Sequence, residues 1–321
     1  MRTLLAAIIL FTASTSFLGQ DASVVHRFDY DQKAPLDIKE VGVEHCGDVE
    51  IHDISYASPK GGRVPAYLVA PKGKGPFAGV IWGHWYWENS DFRNRKEFLD
   101  EAVVLADSGV ISLLTDGPIA RPGHVENHEP LNEQQITDVI QQIVDMRRGA
   151  DLLLARKDLD PARLAYVGHS YNATVGGFLS GIDKRFKAFV LMAGGLSNDS
   201  DFKSEDYQKY RQKVGVEKFD AFAAKYAWLD PGQFVSHAAP AEVFLQYASQ
   251  EEFLNPERAR RYATIVSEPK RFKLYDAPHA LNAEARRDRI AFLAEKLKLK
   301  PPRAALIASI PDLVQPSEPL P

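Results

Sequence analysis

Short apolar runs alternate with longer amphipathic segments from about residue 50 onward, and this alternation predicts the architecture of the chain. Short apolar runs are typical of buried strands, whereas a helix places its apolar residues three or four positions apart. In the segment 136–154, Ile136, Val139, Ile140 and Ile143 fall on one helical face. The predicted strands are 51–57, 64–69, 78–82, 110–114, 164–167, 186–192, 243–247 and 272–275, and the predicted helices are 92–105, 136–154, a segment ending at 179, and 281–297.

The spacing of these elements predicts an α/β fold. Strands that alternate with helices form a mostly parallel sheet with helices on both faces. The first two strands are the exception, because Pro59, Gly61 and Gly62 between them form a hairpin signal. We therefore expect antiparallel strands at one edge of the sheet.

Two segments interrupt the alternation. Residues 195–240 lack a clear strand and carry charged helical stretches with six aromatic residues: Tyr207, Tyr210, Phe219, Phe222, Tyr226 and Trp228. One interpretation is a helical cap inserted over the site, and the other is a connecting helix packed on the sheet; the length of the segment favours the cap. Residues 301–321 are proline-rich and are predicted to form an extended tail.

The N-terminus has the pattern of a secretory signal peptide. Arg2 precedes a short apolar run at 4–11, which is followed by small residues at 12–16. The alternative is a buried N-terminal helix. We assign residues 1–20 to the signal peptide and 21–300 to one α/β domain, and we expect a secreted or periplasmic protein.

Composition narrows the range of partners. The formal net charge of −4 leaves no basic stripe for nucleic acid, and no apolar run after the N-terminus is long enough to span a membrane. The single cysteine, Cys46, excludes an intramolecular disulfide, and we expect its side chain to be buried.

The candidate chemistry lies just past the ends of the strands. Residues 168–172 read Gly-His-Ser-Tyr-Asn after the 164–167 strand, which is close to the Gly-x-Ser-x-Gly nucleophile elbow, with Asn172 in place of the last glycine. Glu251 follows the strand 243–247, and His279 follows 272–275. The carboxyl ends of parallel strands meet at one edge of a sheet, and the order Ser…Glu…His is that of the α/β-hydrolase triad.

Each residue type suits a role in acyl transfer. Ser170 is the predicted nucleophile, and His279 is the base that takes its proton. The acid that orients the histidine has three candidates, of which Glu251 ranks first, then Glu252, then Asp199 after the preceding strand. We judge Ser170 to be the nucleophile despite Asn172, whose side chain could point aside and bond a local backbone group.

The oxyanion formed in such a reaction needs two backbone N–H groups. One is expected from Tyr171 at the positive end of the following helix, and the other from Trp85 or Tyr86 in the loop after 78–82. We place three further residues at the substrate pocket, where aromatic rings would suit an apolar acyl group or a sugar face: His84, Trp87 and Asn172.

Several motifs together resemble the dienelactone-hydrolase-like branch of the α/β-hydrolase superfamily. The resemblance covers residues 50–300 and rests on the stretch 71–80, His84-Trp85, Gly168-His169-Ser170, Glu251-Glu252-Phe253 and Pro278-His279. It implies the α/β-hydrolase fold and a hydrolase. Dienelactone hydrolases proper use a cysteine nucleophile, so Ser170 implies a serine esterase of that branch rather than lactone chemistry.

We therefore predict a serine hydrolase that cleaves small-molecule carboxylic esters through an acyl-enzyme and needs no cofactor. One alternative is a serine peptidase, although residues 21–50 are too few for the N-terminal domain that such enzymes usually carry. Another is a ligand-binding protein that has lost catalysis, with Asn172 as the sign of that loss. His124 and His128 have the spacing of a metal pair, but nothing else in their loop supports one, and no metal site is predicted.

Overall fold

A nine-stranded sheet forms the centre of the part of the chain described by the computed structural model, which comprises residues 22–87, 89–127, 129–195, 205–251 and 254–316. Its strands are β1 Lys39–Cys46, β2 Val49–Ala57, β3 Arg63–Pro71, β4 Phe77–Gly83, β5 Val110–Thr115, β6 Leu159–His169, β7 Ala188–Met192, β8 Glu242–Ala248 and β9 Lys270–Tyr275.

The strand order is β1-β2-β3-β5-β4-β6-β7-β8-β9. Neighbours from β5 to β9 pair in parallel, whereas the pairs β1–β2, β2–β3 and β3–β5 are antiparallel. The predicted hairpin and the mostly parallel sheet are therefore confirmed. Strand β1 is not among the predicted strands. All of its residues are exposed, so no buried apolar face marks it, and backbone pairing to β2 is what makes it a strand.

Helices cover both faces of the sheet. They are α1 Ala22–Val25, α2 Leu99–Ala106, α3 Gln134–Leu154, α4 Tyr171–Ile182, α5 Glu205–Val214, α6 Val216–Lys225, α7 Pro231–Val235, α8 Pro256–Ile265, α9 Ala283–Lys296 and α10 Ala304–Ser309. Side chains of α3, α4, α7 and α8 pack into one apolar core, and those of α2 and α9 pack into a second. Each sheet face therefore has its own core, as expected for a sheet buried on both sides.

The helix predicted at 92–105 begins only at Leu99. The preceding residues form turns, in which Ser90 Oγ accepts from Phe92 N–H and Asn94 Oδ1 accepts from Lys96 N–H. Such local side-chain bonds offer the backbone an alternative to the helix. Glu97 lies in this loop, just before α2.

Two further expectations were wrong. Cys46 is exposed, since it ends the exposed edge strand β1. The C-terminal segment is not extended throughout, because it contains α10, whose Leu306 and Ile307 pack against the second core. Beyond α10, Arg286 donates to the Pro311 carbonyl. Residues 304–311 are thus docked on the body of the protein.

Residues 1–20, assigned to a signal peptide, lie outside the described residues. Within the described residues, the helices include none that combines the length and the apolar content needed to span a membrane.

Candidate functional site

Ser170 occupies a strained turn between β6 and α4. Its backbone has φ 53° and ψ −111°, a conformation that non-glycine residues rarely adopt. The turn is tight because glycines flank it: a Cβ on Gly168 would lie 2.2 Å from the Asn172 carbonyl oxygen, and one on Gly194 would lie 2.1 Å from that of Ser170. Ser170 therefore has the backbone setting of a nucleophile elbow.

Asn172 fits in the elbow because the facing strand β4 carries a glycine, Gly83, opposite its side chain. A Cβ on Gly83 of β4 would lie 2.5 Å from the Asn172 Cβ, so the side chain fills the volume that any other residue at position 83 would take. Asn172 Nδ2 donates to the His84 carbonyl oxygen at 2.6 Å, and Oδ1 accepts from Gln142 at 2.9 Å. Asn172 is fully buried, so it supports the loop after β4 and does not line the substrate pocket as we expected.

His279 and Glu251 form the acid–base half of the site. Nδ1 of His279 lies 2.6 Å from Oε2 of Glu251, and the two side chains are only 6% and 1% exposed. The loops that carry them are joined by backbone bonds from Ser249 N–H to the Tyr275 carbonyl oxygen and from Gln250 N–H to that of Ala277. Of the three acid candidates, Glu251 contacts the histidine, whereas Glu252 and Asp199 lie outside the described residues.

The protonation of His279 follows from this setting. Burial lowers the pKa of His279 below its ordinary value, the hydrogen bond to Glu251 opposes that effect, and His169 adds to it. The imidazole is therefore neutral at neutral pH. Because its Nδ1 proton is directed at the carboxylate, Nε2 is the nitrogen that can accept a proton.

His84 organises the loop after β4. Its Nε2 accepts from the Gly117 N–H at 3.0 Å, so the ring proton is on Nδ1, which donates to the Trp85 carbonyl oxygen at 2.6 Å. Burial lowers the pKa of His84 to about 4. Both nitrogens are used and the ring is buried, so His84 holds the loop in place and does not line the pocket.

The same loop carries the two candidates for the second oxyanion donor. Trp85 N–H donates to Oε2 of Glu97 at 2.5 Å, so this candidate is already engaged. The assignment of the second oxyanion donor stays a prediction. The Trp85 and Trp87 rings are buried in a cluster with Ala280 and Leu313. Trp87 is therefore also part of a packed cluster rather than an open pocket wall.

Sequence reasoning missed Glu97 altogether. Its Oε1 lies 2.6 Å from Nδ1 of His169, the residue that precedes Ser170, and Nε2 of His169 lies 3.0 Å from the His279 carbonyl oxygen. The His169 and His279 rings stack with centroids 5.2 Å apart. His279 is therefore held directly beside the elbow.

The helical segment between β7 and β8 contains α5, α6 and α7. A cavity of about 270 Å³ lies beside this segment. Residues from α5, α6 and the loop after α6 line one side of it, and residues from the first turn of α3 and the loop before α3 line the other. Its main lining residues are Leu131, Ile136, Tyr210, Phe219, Phe222 and Tyr226. Whether this segment closes over the elbow stays a prediction, since residues 196–204 lie outside the described residues.

His124, half of the candidate metal pair, bonds Asp138 at 2.9 Å, and His128 lies outside the described residues. Among the residues that the structure describes, His, Cys, Asp and Glu side chains form no group of three or more that could hold a metal ion.

An open, mostly parallel sheet with a strained serine after β6, an acid after β8 and a histidine after β9 defines the α/β-hydrolase fold. The solved structures that share it with this chain include acetyl xylan esterases from Thermoanaerobacterium (TM-score 0.67, 15% identity, 85% of this chain and 92% of that chain) and Paenibacillus (TM-score 0.66, 16% identity, 86% and 92%). A glucuronoyl esterase from Solibacter usitatus is also similar (TM-score 0.60, 13% identity, 86% and 91%). No protein-family profile and no curated sequence matches the chain.

Proposed function

We propose that this protein is a serine hydrolase that cleaves carboxylic esters, with Ser170 as nucleophile, His279 as general base and Glu251 as the acid that orients the histidine. The observation that carries the proposal is the buried His279–Glu251 hydrogen bond beside a serine held at φ 53°. The solved structures of similar fold are named as esterases, which supports ester hydrolysis rather than peptide cleavage.

In the proposed reaction, Ser170 Oγ attacks the ester carbonyl carbon while His279 Nε2 takes the hydroxyl proton. The tetrahedral intermediate collapses, the C–O bond to the alcohol breaks, and the alcohol leaves with the proton from His279. Water then attacks the acyl carbon while His279 Nε2 takes one of its protons; the bond from that carbon to Ser170 Oγ breaks, Oγ takes the proton back from His279, and the acid product is released. Glu251 offsets the positive charge that His279 carries in both steps.

The oxyanion is assigned to two backbone donors. The first N–H groups of a helix have no acceptor within the helix, so Tyr171 N–H at the start of α4 can serve an external oxygen and gains from the helix dipole. Tyr86 N–H is the second donor. The loop that carries it is fixed from below by Asn172 through the His84 carbonyl oxygen.

The test is labelling by a fluorophosphonate probe, together with hydrolysis of p-nitrophenyl esters of increasing chain length and of acetylated sugars. Ser170→Ala should abolish labelling and lower kcat by several orders of magnitude. Ser180→Ala is the matched control, because Ser180 lies on α4 but its hydroxyl bonds Gly177 inside the helix. Labelling that survives in Ser170→Ala would refute the proposal.

A further inference from the structure

A second buried acid–histidine pair lies behind the proposed catalytic one. His169 is fully buried, and each of its ring nitrogens points at an acceptor: Nδ1 at Glu97 Oε1 and Nε2 at the His279 carbonyl oxygen. A carbonyl oxygen only accepts hydrogen bonds, and so does an ionised carboxylate. Nε2 of His169 therefore donates to the carbonyl oxygen, and one proton lies between Nδ1 and Glu97 Oε1.

Glu97 also connects this pair to the loop after β4. While Oε1 accepts from His169, Oε2 accepts from Trp85 N–H. One carboxylate thus fixes the backbone of the oxyanion loop and the residue next to the nucleophile. Through His169 the same network reaches the backbone of His279. The segments that carry the proposed nucleophile, base and oxyanion donor consequently share one buried chain of hydrogen bonds.

Ring stacking sets the orientation within this network. The Trp85, His169 and His279 rings form a packed triangle, with centroid distances of 5.3 Å for Trp85–His169, 5.2 Å for His169–His279 and 6.2 Å for Trp85–His279. These contacts fix the plane of the His169 ring beside His279. Trp87 packs against His279 at a tilt, with its ring centroid 5.4 Å away.

The charges around His279 act in opposite directions. Glu251 on its Nδ1 and the more distant Glu97 favour the imidazolium form of His279, whereas the positive charge of His169 disfavours it. Removal of the His169 charge would leave two carboxylates and no cation in this cluster.

We propose that Glu97 and His169 are positioning residues, an ion pair that holds the oxyanion loop and the His279 backbone in register with Ser170 and keeps His279 in its neutral form. This inference rests on the function proposed above. Glutamine cannot replace Glu97, because its amide has one acceptor oxygen where the carboxylate has two. It cannot replace His169 either, because its single nitrogen cannot donate in two opposite directions.

The test compares Glu97→Gln and His169→Phe with Glu101→Gln. Glu101 is a matched control, since it is a buried carboxylate four residues further on, in α2, and it pairs with Arg289 of α9. In Glu97→Gln, kcat should fall by about 10- to 100-fold with little change in KM, because misplacing catalytic groups affects the chemical step. In His169→Phe, the acid limb of kcat/KM should move upward by roughly half a pH unit or more.

A purely structural pair predicts a different result. Glu97→Gln and Glu101→Gln would then lose similar stability in urea, and folded samples of both would keep the wild-type kcat and acid limb, which would overturn the proposal. The charge state is measured separately, by ¹⁵N NMR of histidine-labelled protein. Two protonated ring nitrogens on the signal lost in His169→Phe support the ion pair, whereas one unprotonated nitrogen overturns it. That measurement needs no turnover, so it stays decisive even if Ser170→Ala were to refute the proposed function.

Discussion

The substitution Asn172→Gly restores the usual glycine of the elbow, and we expect it to harm this protein. The Asn172 side chain makes three buried hydrogen bonds, to the His84 carbonyl oxygen, from Gln142 and, at 3.5 Å, from the Tyr166 hydroxyl. Leaving buried partners unsatisfied costs about 1–3 kcal/mol each, and glycine near the start of a helix adds up to about 1 kcal/mol. We expect a loss of about 3–5 kcal/mol in the free energy of unfolding, and a lower kcat because the oxyanion loop loses its support.

The facing residue allows a double-mutant cycle. In Gly83→Ala the new Cβ would lie 2.5 Å from Asn172 Cβ, and the three atoms closest to it all belong to the Asn172 side chain. Overpacking of this kind costs about 1–3 kcal/mol. The double variant Gly83→Ala/Asn172→Gly removes that clash, so its stability should exceed the additive expectation by about 1–3 kcal/mol.

The assay is urea unfolding with ester hydrolysis measured on the same samples. Gly42→Ala is the control for a glycine-to-alanine change in a strand, because a Cβ there meets nothing within 4 Å. Additive free energies in the cycle would show that residues 83 and 172 do not share one volume. An Asn172→Gly variant as stable and as active as the wild type would refute the role given to Asn172.

Three other outcomes are expected. Glu251→Gln should lower kcat/KM by roughly 10²- to 10⁴-fold, because it removes the charge that stabilises the His279 imidazolium; wild-type kinetics there would move the acid to another residue. The pKa of His84 is about 4 in the folded protein, below its ordinary value of 6.5. Between pH 6.5 and 4 the unfolded chain therefore binds a proton at His84 that the folded protein does not bind. The free energy of unfolding should consequently fall as the pH is lowered through this range, by up to about 3 kcal/mol. In urea unfolding at pH 7 and 4.5, the free energy of unfolding of His84→Gln should depend less on pH than that of the wild type. The same pH dependence in both proteins would contradict the assignment. Mass spectrometry of exported protein should find an N-terminus near residues 17–23 if the signal-peptide prediction holds, whereas an intact Met1 would contradict it.

The fold class and the order of most elements follow from local patterns along the chain. Periodicity is a local property, so the strands from β2 to β9 and the helix α3 can be recognised without knowledge of their partners. Ser170 and His279 could be found for the same reason, since each follows an apolar strand within a few residues. Parallel pairing then brings their strand ends to one edge of the sheet.

The support of the site, by contrast, depends on contacts between elements that are distant along the chain. The contact between Gly83 and Asn172 joins β4 and α4, and neither residue alone indicates that a glycine on β4 makes room for the Asn172 side chain. Glu97 lies in a polar loop that was predicted as a helix, and nothing local distinguishes it from the charged residues around it. The exposed strand β1 is likewise defined by its backbone pairing. In each case the deciding contact joins residues from separate elements, and a pattern read along one segment does not contain it.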